Sequence, residues 1–271
     1  MSDFAVPAGG QRDRALGVLL GLAAGDRNGG PIEMAVRLAE SLAERRAFDP
    51  RDVLQRYLAW HRAGSFDTGP VTGMVLALID GGVDSEEAVR RIDQGLDGQT
   101  AGCNPAHRVA PLAMAAFLPG GALADAARAE ALLTHHHPVA GDTAAAVVVL
   151  CRGLIRGSIW EDALARAADG CLPEVAGALD PKQVRVPSPR GFAPEALGAA
   201  VHFVCQADSL DQALEAGFRF AGPANYCPVL VGAIGGARWG RSAVEARLLE
   251  HCRDLRRLER VAEELAGDWP D

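Results

Sequence analysis

Apolar residues recur at helical spacing along most of this chain of 271 residues. Leu16, Leu19, Leu20 and Ala23 form the first such set, with neighbours three or four positions apart. Alternating, strand-like stretches are nearly absent, and the best of them, 145–150, continues into 152–155 as a buried helix would. The pattern therefore predicts an all-α fold. Further predicted helices lie at 34–42, 53–58, 71–78, 109–117, 122–133, 144–155, 159–168, 195–205, 210–220, 229–237 and 244–265.

Two helix starts carry clear local signals. Asp49 is followed by Pro50, which suits a capping carboxylate before a proline in the first helical turn. Ser209 similarly precedes the apolar pattern that begins near Leu210. Helices are therefore expected to begin at these two points.

The composition predicts one domain over 1–271. Hydrophobic residues make up 49% of the chain and charged residues 23%, which is enough apolar material for a large core. No period of 20–50 residues and no dividing linker is visible. Residues 1–11 are expected to be flexible, and 180–194, with four prolines and no sustained periodicity, is expected to be a long loop.

Charge and cysteine usage exclude several classes of partner. The formal net charge of −8 opposes general attraction to nucleic acid or anionic lipid, so neither is an expected partner. The apolar run from Leu16 meets Asp26 and Arg27 too early for a membrane span. Six scattered cysteines without a close pair are typical of reduced thiols in the cytoplasm, the expected location.

Five loop clusters collect the polar chemistry between apolar runs, at 25–33, 64–69, 102–108, 134–138 and 222–228. Taken singly, Asp26 and Asp67 fit ordinary turns or caps. The three consecutive residues 135–137 are histidines, but neighbours point in different directions, so a structural or supporting role is favoured over zinc binding. Arg108 fits either a clamp for a phosphate or carboxylate or a buried ion pair.

Taken together, the clusters resemble the ADP-ribosylglycohydrolase family, which includes the dinitrogenase-reductase-activating glycohydrolases. Its G-x-x-x-G-x-A-x-G-D-A-L-G-x-P-x-E stretch resembles 17–33, and its M-A-L-x-L-A-E-S-L helix resembles 34–42. The remaining elements follow in order over nearly the whole chain. F-D-P-x-D-x-x-x-R-Y-x-x-W resembles 48–60, M-R-x-A-P-L-A resembles 103–114, T-H-x-x-P resembles 134–138, and G-x-D-x-D-T with its following G-A-x-x-G-A-x-Y-G helix resembles 222–240.

The resemblance implies an all-helical fold and a pair of magnesium ions held by T-D-D-T and D-x-D-T motifs. This sequence departs from both motifs. Either the T-D-D-T segment is deleted after Glu33, or 29–32, which reads Gly-Gly-Pro-Ile, replaces it. Pro223, Asn225 and Tyr226 stand where D, D and T are expected. Because hard divalent cations need several anionic oxygens, we expect no metal and no other cofactor.

The resemblance also implies a ligand, either a small molecule related to ADP-ribose or an ADP-ribosylated one. One interpretation is a metal-independent hydrolase of an N- or O-glycosidic ribosyl bond, which needs an acid near the leaving group and a base opposite. The other is a catalytically inactive protein that binds ADP-ribose or a related nucleotide. The oligomeric state is not assigned.

The candidate site residues come from the loop clusters of the region that carries the resemblance. Glu33, Asp26 and Asp67 are the candidate catalytic carboxylates, and Glu33 is favoured because the corresponding family glutamate lies at the active-site entrance. His107 or His137 is a candidate proton shuttle, because imidazole titrates near neutrality. The candidate substrate-binding residues are Asn104, His107, Arg108, His135, His137, Asn225 and Tyr226.

Overall fold

A computed structural model describes residues 10–180 and 191–271, and within these ranges it contains helices and no strand. The all-α prediction is confirmed. The first eight helices are α1 (Gln11–Gly25), α2 (Gly30–Arg45), α3 (Pro50–Arg62), α4 (Pro70–Asp80), α5 (Ser85–Gly95), α6 (Asn104–Arg108), α7 (Pro111–Met114) and α8 (Leu123–Ala131). The others are α9 (Pro138–Ile155), α10 (Trp160–Ala168), α11 (Pro173–Ala178), α12 (Ala193–Gln206), α13 (Leu210–Ala221), α14 (Tyr226–Trp239) and α15 (Leu255–Ala266).

Both predicted helix starts are confirmed by their capping hydrogen bonds. The Asp49 carboxylate accepts from the backbone N–H groups of Arg51 and Asp52 at 3.0 and 3.2 Å, ahead of Pro50. The Ser209 hydroxyl accepts from the N–H of Gln212 at 3.3 Å. In each case a short polar side chain satisfies a backbone donor that has no partner within the helix.

Two predicted helices are wrong in extent. Only Pro111–Met114 of the 109–117 block is helical, as α7, and residues 109–110 separate it from α6. Pro111 opens α7, and the Arg152 guanidinium donates to the carbonyls of Leu112, Ala113 and Ala115. The 244–265 block is helical only from Leu255, where the Asp254 carboxylate caps α15. The preceding residues form 3₁₀ turns.

Other boundaries also differ from the predictions. α5 and α11 were not predicted, and the predicted 180–194 loop already belongs to α12 at Ala193. Its residues 181–190, and residues 1–9 of the segment expected to be flexible, lie outside the described residues. Gln11 is already helical.

The core surrounds α9. This helix has a mean hydropathy of 1.5, long and apolar enough by composition to cross a membrane, but 83% of it is buried inside the protein. Leu150, Cys151 and Ile155 on α9 are fully buried. An apolar helix so enclosed by other helices is a core element of the fold.

A row of glycines brings α1 and α14 into backbone contact. A Cβ atom at Gly21 would overlap the carbonyl of Gly232, and one at Gly25 would overlap that of Pro228. Gly17 meets Gly236 in the same way. Because this spacing continues to the end of α1, it places Asp26, the next residue, beside the start of α14.

Candidate functional site

Asp26 is the buried centre of the candidate site. Its side chain is fully enclosed, and its Oδ1 accepts from the N–H groups of Asn28 and Gly29 at 3.2 and 2.9 Å. Its Oδ2 accepts from the N–H of Ile32 at 2.7 Å. Burial raises the pKa of Asp26, while these donors act to lower it. The carboxylate therefore shapes the turn between α1 and α2.

Asp67 lies next to this turn on a loop with unusual backbone geometry. Its φ of 50° falls in the left-handed region, which is uncommon for a residue with a side chain. Burial, and then the charge of Asp26, raise the pKa of Asp67, against hydrogen bonds from Gly30 and Asn28. Unlike Asp26, Asp67 is exposed. The structure thus brings the two predicted aspartates together as one buried and one accessible group.

Asn225 closes the site from the side of α14. Only 8% of the residue is exposed, and its Nδ2 donates to Asp26 Oδ1 at 2.5 Å. Its Oδ1 is buried and lacks a hydrogen-bond partner. The structure therefore places two of the candidate residues, Asp26 and Asn225, in direct contact.

Tyr226 and His107 lie beside this contact. Tyr226 is 40% exposed, and its backbone carbonyl accepts from His107 Nε2 at 2.6 Å. Burial lowers the pKa of His107 to about 4. His107 is only 3% exposed, so this position favours a fixed hydrogen-bond donor over a proton shuttle.

Asn104 reaches the same loop as Asp67. Gly69, with a φ of 74°, lies directly under the Asn104 amide, where a Cβ atom would come within 2.6 Å of its Oδ1. The bare glycine permits this close approach. The Asn104 amide, at the start of α6, therefore packs against the Asp67 loop at Gly69.

Arg108 lies in a buried network and not on a ligand-accessible surface. Its Nε donates to Glu130 at 2.6 Å and its NH2 to the Thr134 hydroxyl at 2.8 Å. The Tyr57 hydroxyl donates to the same Glu130 oxygen at 2.8 Å. Of the two interpretations of Arg108, the buried ion pair is the one that its contacts fit. The prediction that Arg108 binds substrate is therefore wrong, because its guanidinium is enclosed and bound to Glu130 and Thr134.

The two predicted histidines of the 134–138 cluster differ in position. His135 is 1% exposed, with Nδ1 at 2.9 Å from the Thr134 hydroxyl and a buried Nε2 that lacks a partner. Burial lowers the pKa of His135 to about 3, and the Arg108 charge acts in the same direction. His137 instead caps α9, since its Nδ1 accepts from the N–H of Val139 at 3.2 Å. The contact gives His137 a structural role at the start of α9.

Glu33 lies one turn into α2, facing a groove. Its carboxylate is 2.5 Å from Arg37 and 3.6 Å from Arg257. The groove holds about 520 Å³, open to solvent, and its lining includes Asp26, Glu33 and Phe66. The favoured catalytic carboxylate is therefore accessible but engaged by two guanidinium groups.

The other wall of this groove, which includes His251 and Arg253, was not predicted from the sequence. His251 donates from Nε2 to the carbonyl oxygens of Ala23 and Asp26, at 3.1 and 2.9 Å, and so caps the end of α1. Arg253 stacks on the Phe66 ring at 4.1 Å. Both residues come from a charged segment without a motif, so no pattern in the sequence could have placed them here.

The comparisons with known proteins decide the family. The ADP-ribosylglycohydrolase family model matches residues 32–271. The chain belongs to the ADP-ribosylglycohydrolase family. A solved structure described as "ADP-ribosylglycohydrolase-related protein complex" is 26% identical, with a TM-score of 0.79, over 95% of this chain and 98% of that one. A comparison with curated proteins finds no match.

Family membership raises the question of the magnesium pair, and the donor set here does not fit it. The two Asp26 oxygens already accept four N–H groups, from Asn28, Gly29, Ile32 and Asn225. Within 10–180 and 191–271, no three His, Cys, Asp or Glu side chains form a group that could hold a metal ion. The family model begins at Ile32, so most of the 17–33 motif precedes the matched residues.

The two buried histidines predict acid sensitivity. Burial lowers the pKa of His107 to about 4 and the pKa of His135 to about 3, both below the value of about 6.5 in an unfolded chain. Their contribution to stability is fully present above pH 6.5 and is lost as the pH falls, because only the unfolded chain then takes up these protons. We expect the free energy of unfolding to fall by up to ~1.4 kcal/mol per pH unit for each histidine below pH 6.5.

Denaturant titrations at pH 7, 6 and 5 measure this slope. H107Q removes one titrating group and is expected to reduce the slope below that of the unchanged protein. An equal slope in both proteins would contradict the assignment of His107 as a neutral buried imidazole.

Proposed function

We propose that this protein is a metal-independent hydrolase of an N- or O-glycosidic ribosyl bond in an ADP-ribose-like or nucleoside-like substrate. One observation carries the proposal. Asp67 is an accessible carboxyl group with a raised pKa, held in the left-handed backbone region beside the buried Asp26. Strained backbone and raised carboxyl pKa values are concentrated at functional sites.

The proposed reaction uses Asp67 as the general acid. Its proton passes to the leaving nitrogen or oxygen as the bond to C1 of the ribose breaks. The positive charge that develops on the sugar is stabilised by the negative charge of Asp26 behind it. Water adds to C1 and gives up one proton to a base. Glu33 on the wall of the groove is the candidate base.

The D67N variant tests this role. Asparagine matches the shape of aspartate and tolerates the left-handed region, so the fold should be retained. We expect at least a ~100-fold loss of turnover, the lower range for removal of a general acid. The measurement is product release from ADP-ribosyl-arginine, ADP-ribosyl-serine and a nucleoside panel, in EDTA.

Asp97 offers a matched control. It has the same φ of 50° but lies beyond α5, and it is exposed. D97N should retain the activity of the unchanged protein. Full activity of D67N on a substrate that the unchanged protein hydrolyses would reject Asp67 as the acid.

A ligand-binding protein without turnover is the second candidate, favoured by the contacts of Glu33. The Glu33 carboxylate contacts the guanidinium groups of both Arg37 and Arg257, so its oxygens are engaged within the protein. In that case no panel member is hydrolysed, although ADP-ribose raises the melting temperature. Turnover of any member would exclude this alternative.

A further inference from the structure

The contact between Asn225 and Asp26 joins the N-terminus of α14 to the turn after α1. Asn225 Nδ2 lies 2.5 Å from Asp26 Oδ1, and both residues are more than nine-tenths buried. A cation that bridged these two side chains would have to lie between them. The amide hydrogen already occupies that position.

A second obstruction lies on the other side of Asp26. The Asp67 backbone packs so closely on Gly30 that a Cβ atom at position 30 would overlap the Asp67 carbonyl. No side chain, and so no metal-binding carboxylate, fits at position 30 without displacement of the Asp67 loop. The loop thus takes the space where such a side chain would extend.

We propose that the Asn225 amide acts in place of a divalent cation at Asp26. It supplies the positive end of a dipole to the buried carboxylate and ties the start of α14 to the α1–α2 turn, so the site is assembled without a metal ion. Asn225 is thus a positioning residue for Asp26. This inference rests on the proposed function in treating these residues as the site, but its test requires no turnover.

The N225D variant tests the replacement. It places two carboxylates at hydrogen-bond distance in a buried position, where their repulsion is strong. We expect its melting temperature in EDTA to be lower by about 10 °C, and Mn²⁺ to restore part of that loss. The unchanged protein should show the same melting temperature in EDTA, Mg²⁺ and Mn²⁺.

The charge-matched control is Q99E. Gln99 is exposed, so this variant adds the same charge outside the site and should behave like the unchanged protein in all three solutions. Mn²⁺ binding is read directly by electron paramagnetic resonance of the free ion. We expect none to the unchanged protein and measurable binding to N225D.

Three results would overturn the proposal. They are stoichiometric Mn²⁺ binding by the unchanged protein, N225D as stable in EDTA as the unchanged protein, and destabilised N225D that Mn²⁺ does not restore. None of these results depends on whether a glycosidic bond is hydrolysed, so the proposed function can fail separately.

Discussion

The G236A variant is expected to yield little or no folded protein. A Cβ atom at Gly236 would overlap the carbonyl of Gly17, and backbone cannot move aside as a side chain can. The helices would have to separate, and the contacts of Gly21 with Gly232 would be lost with them. We expect destabilisation of at least ~4–5 kcal/mol, a large part of the stability of a typical domain.

Far-UV circular dichroism and denaturant titration measure the effect. The control is G95A, because Gly95 ends α5 with open space around its Cα. Alanine there should raise the free energy of unfolding by ~0.5–1 kcal/mol. If G236A were as stable as the unchanged protein, α1 and α14 could not be in backbone contact.

The R108M variant is expected to destabilise the fold by ~3–5 kcal/mol, because it leaves a buried carboxylate without its counter-charge. Glu130 is 0% exposed, and its side-chain hydrogen bonds are all made by Oε1, since Oε2 lacks a hydrogen-bond partner. Methionine fills much of the volume of arginine, so the loss reports mainly on charge. Denaturant titration at pH 7 measures it.

The double variant R108M/E130L separates charge from packing. Removal of both partners takes away the unpaired charge, so it should recover much of the stability lost in R108M. If E130L instead added its own independent cost to that of R108M, the double variant would be less stable than R108M. That result would show that the ion pair is not the source of the effect.

The helices were predictable because their signals are local. Asp49 and Ser209 carry their capping role within three residues, and the core helix around 144–155 is apolar except for Arg152. α5 was missed because its buried apolar side is small, with only Ala88 and Val89 fully covered. The short length of α7 within the predicted 109–117 helix depends on Arg152, which lies 37–40 residues along the chain from the carbonyls that it binds.

Part of the candidate site could be anticipated from the sequence, but the arrangement of its residues could not. The loop clusters include Asp26, Asp67 and Asn225, and the structure brings these three residues close to one another. The roles of the two aspartates differ because Asp26 is enclosed while Asp67 is exposed. The spacing of residues in the sequence does not indicate this difference in burial. The engagement of Glu33 by Arg257 depends on how α15 packs against α2, a tertiary contact between distant segments.

The pairing of α1 with α14 also sets the earliest stage of synthesis at which the candidate site can form. Asp26 and Asn225 are 199 positions apart in the chain. At ordinary synthesis rates of about 5–20 residues per second, α1 waits roughly 10–40 s on the ribosome before its glycine-lined face can be covered. The contact between Asp26 and Asn225 therefore forms only after most of the chain has been made, and the glycine-lined face of α1 stays uncovered by α14 until then.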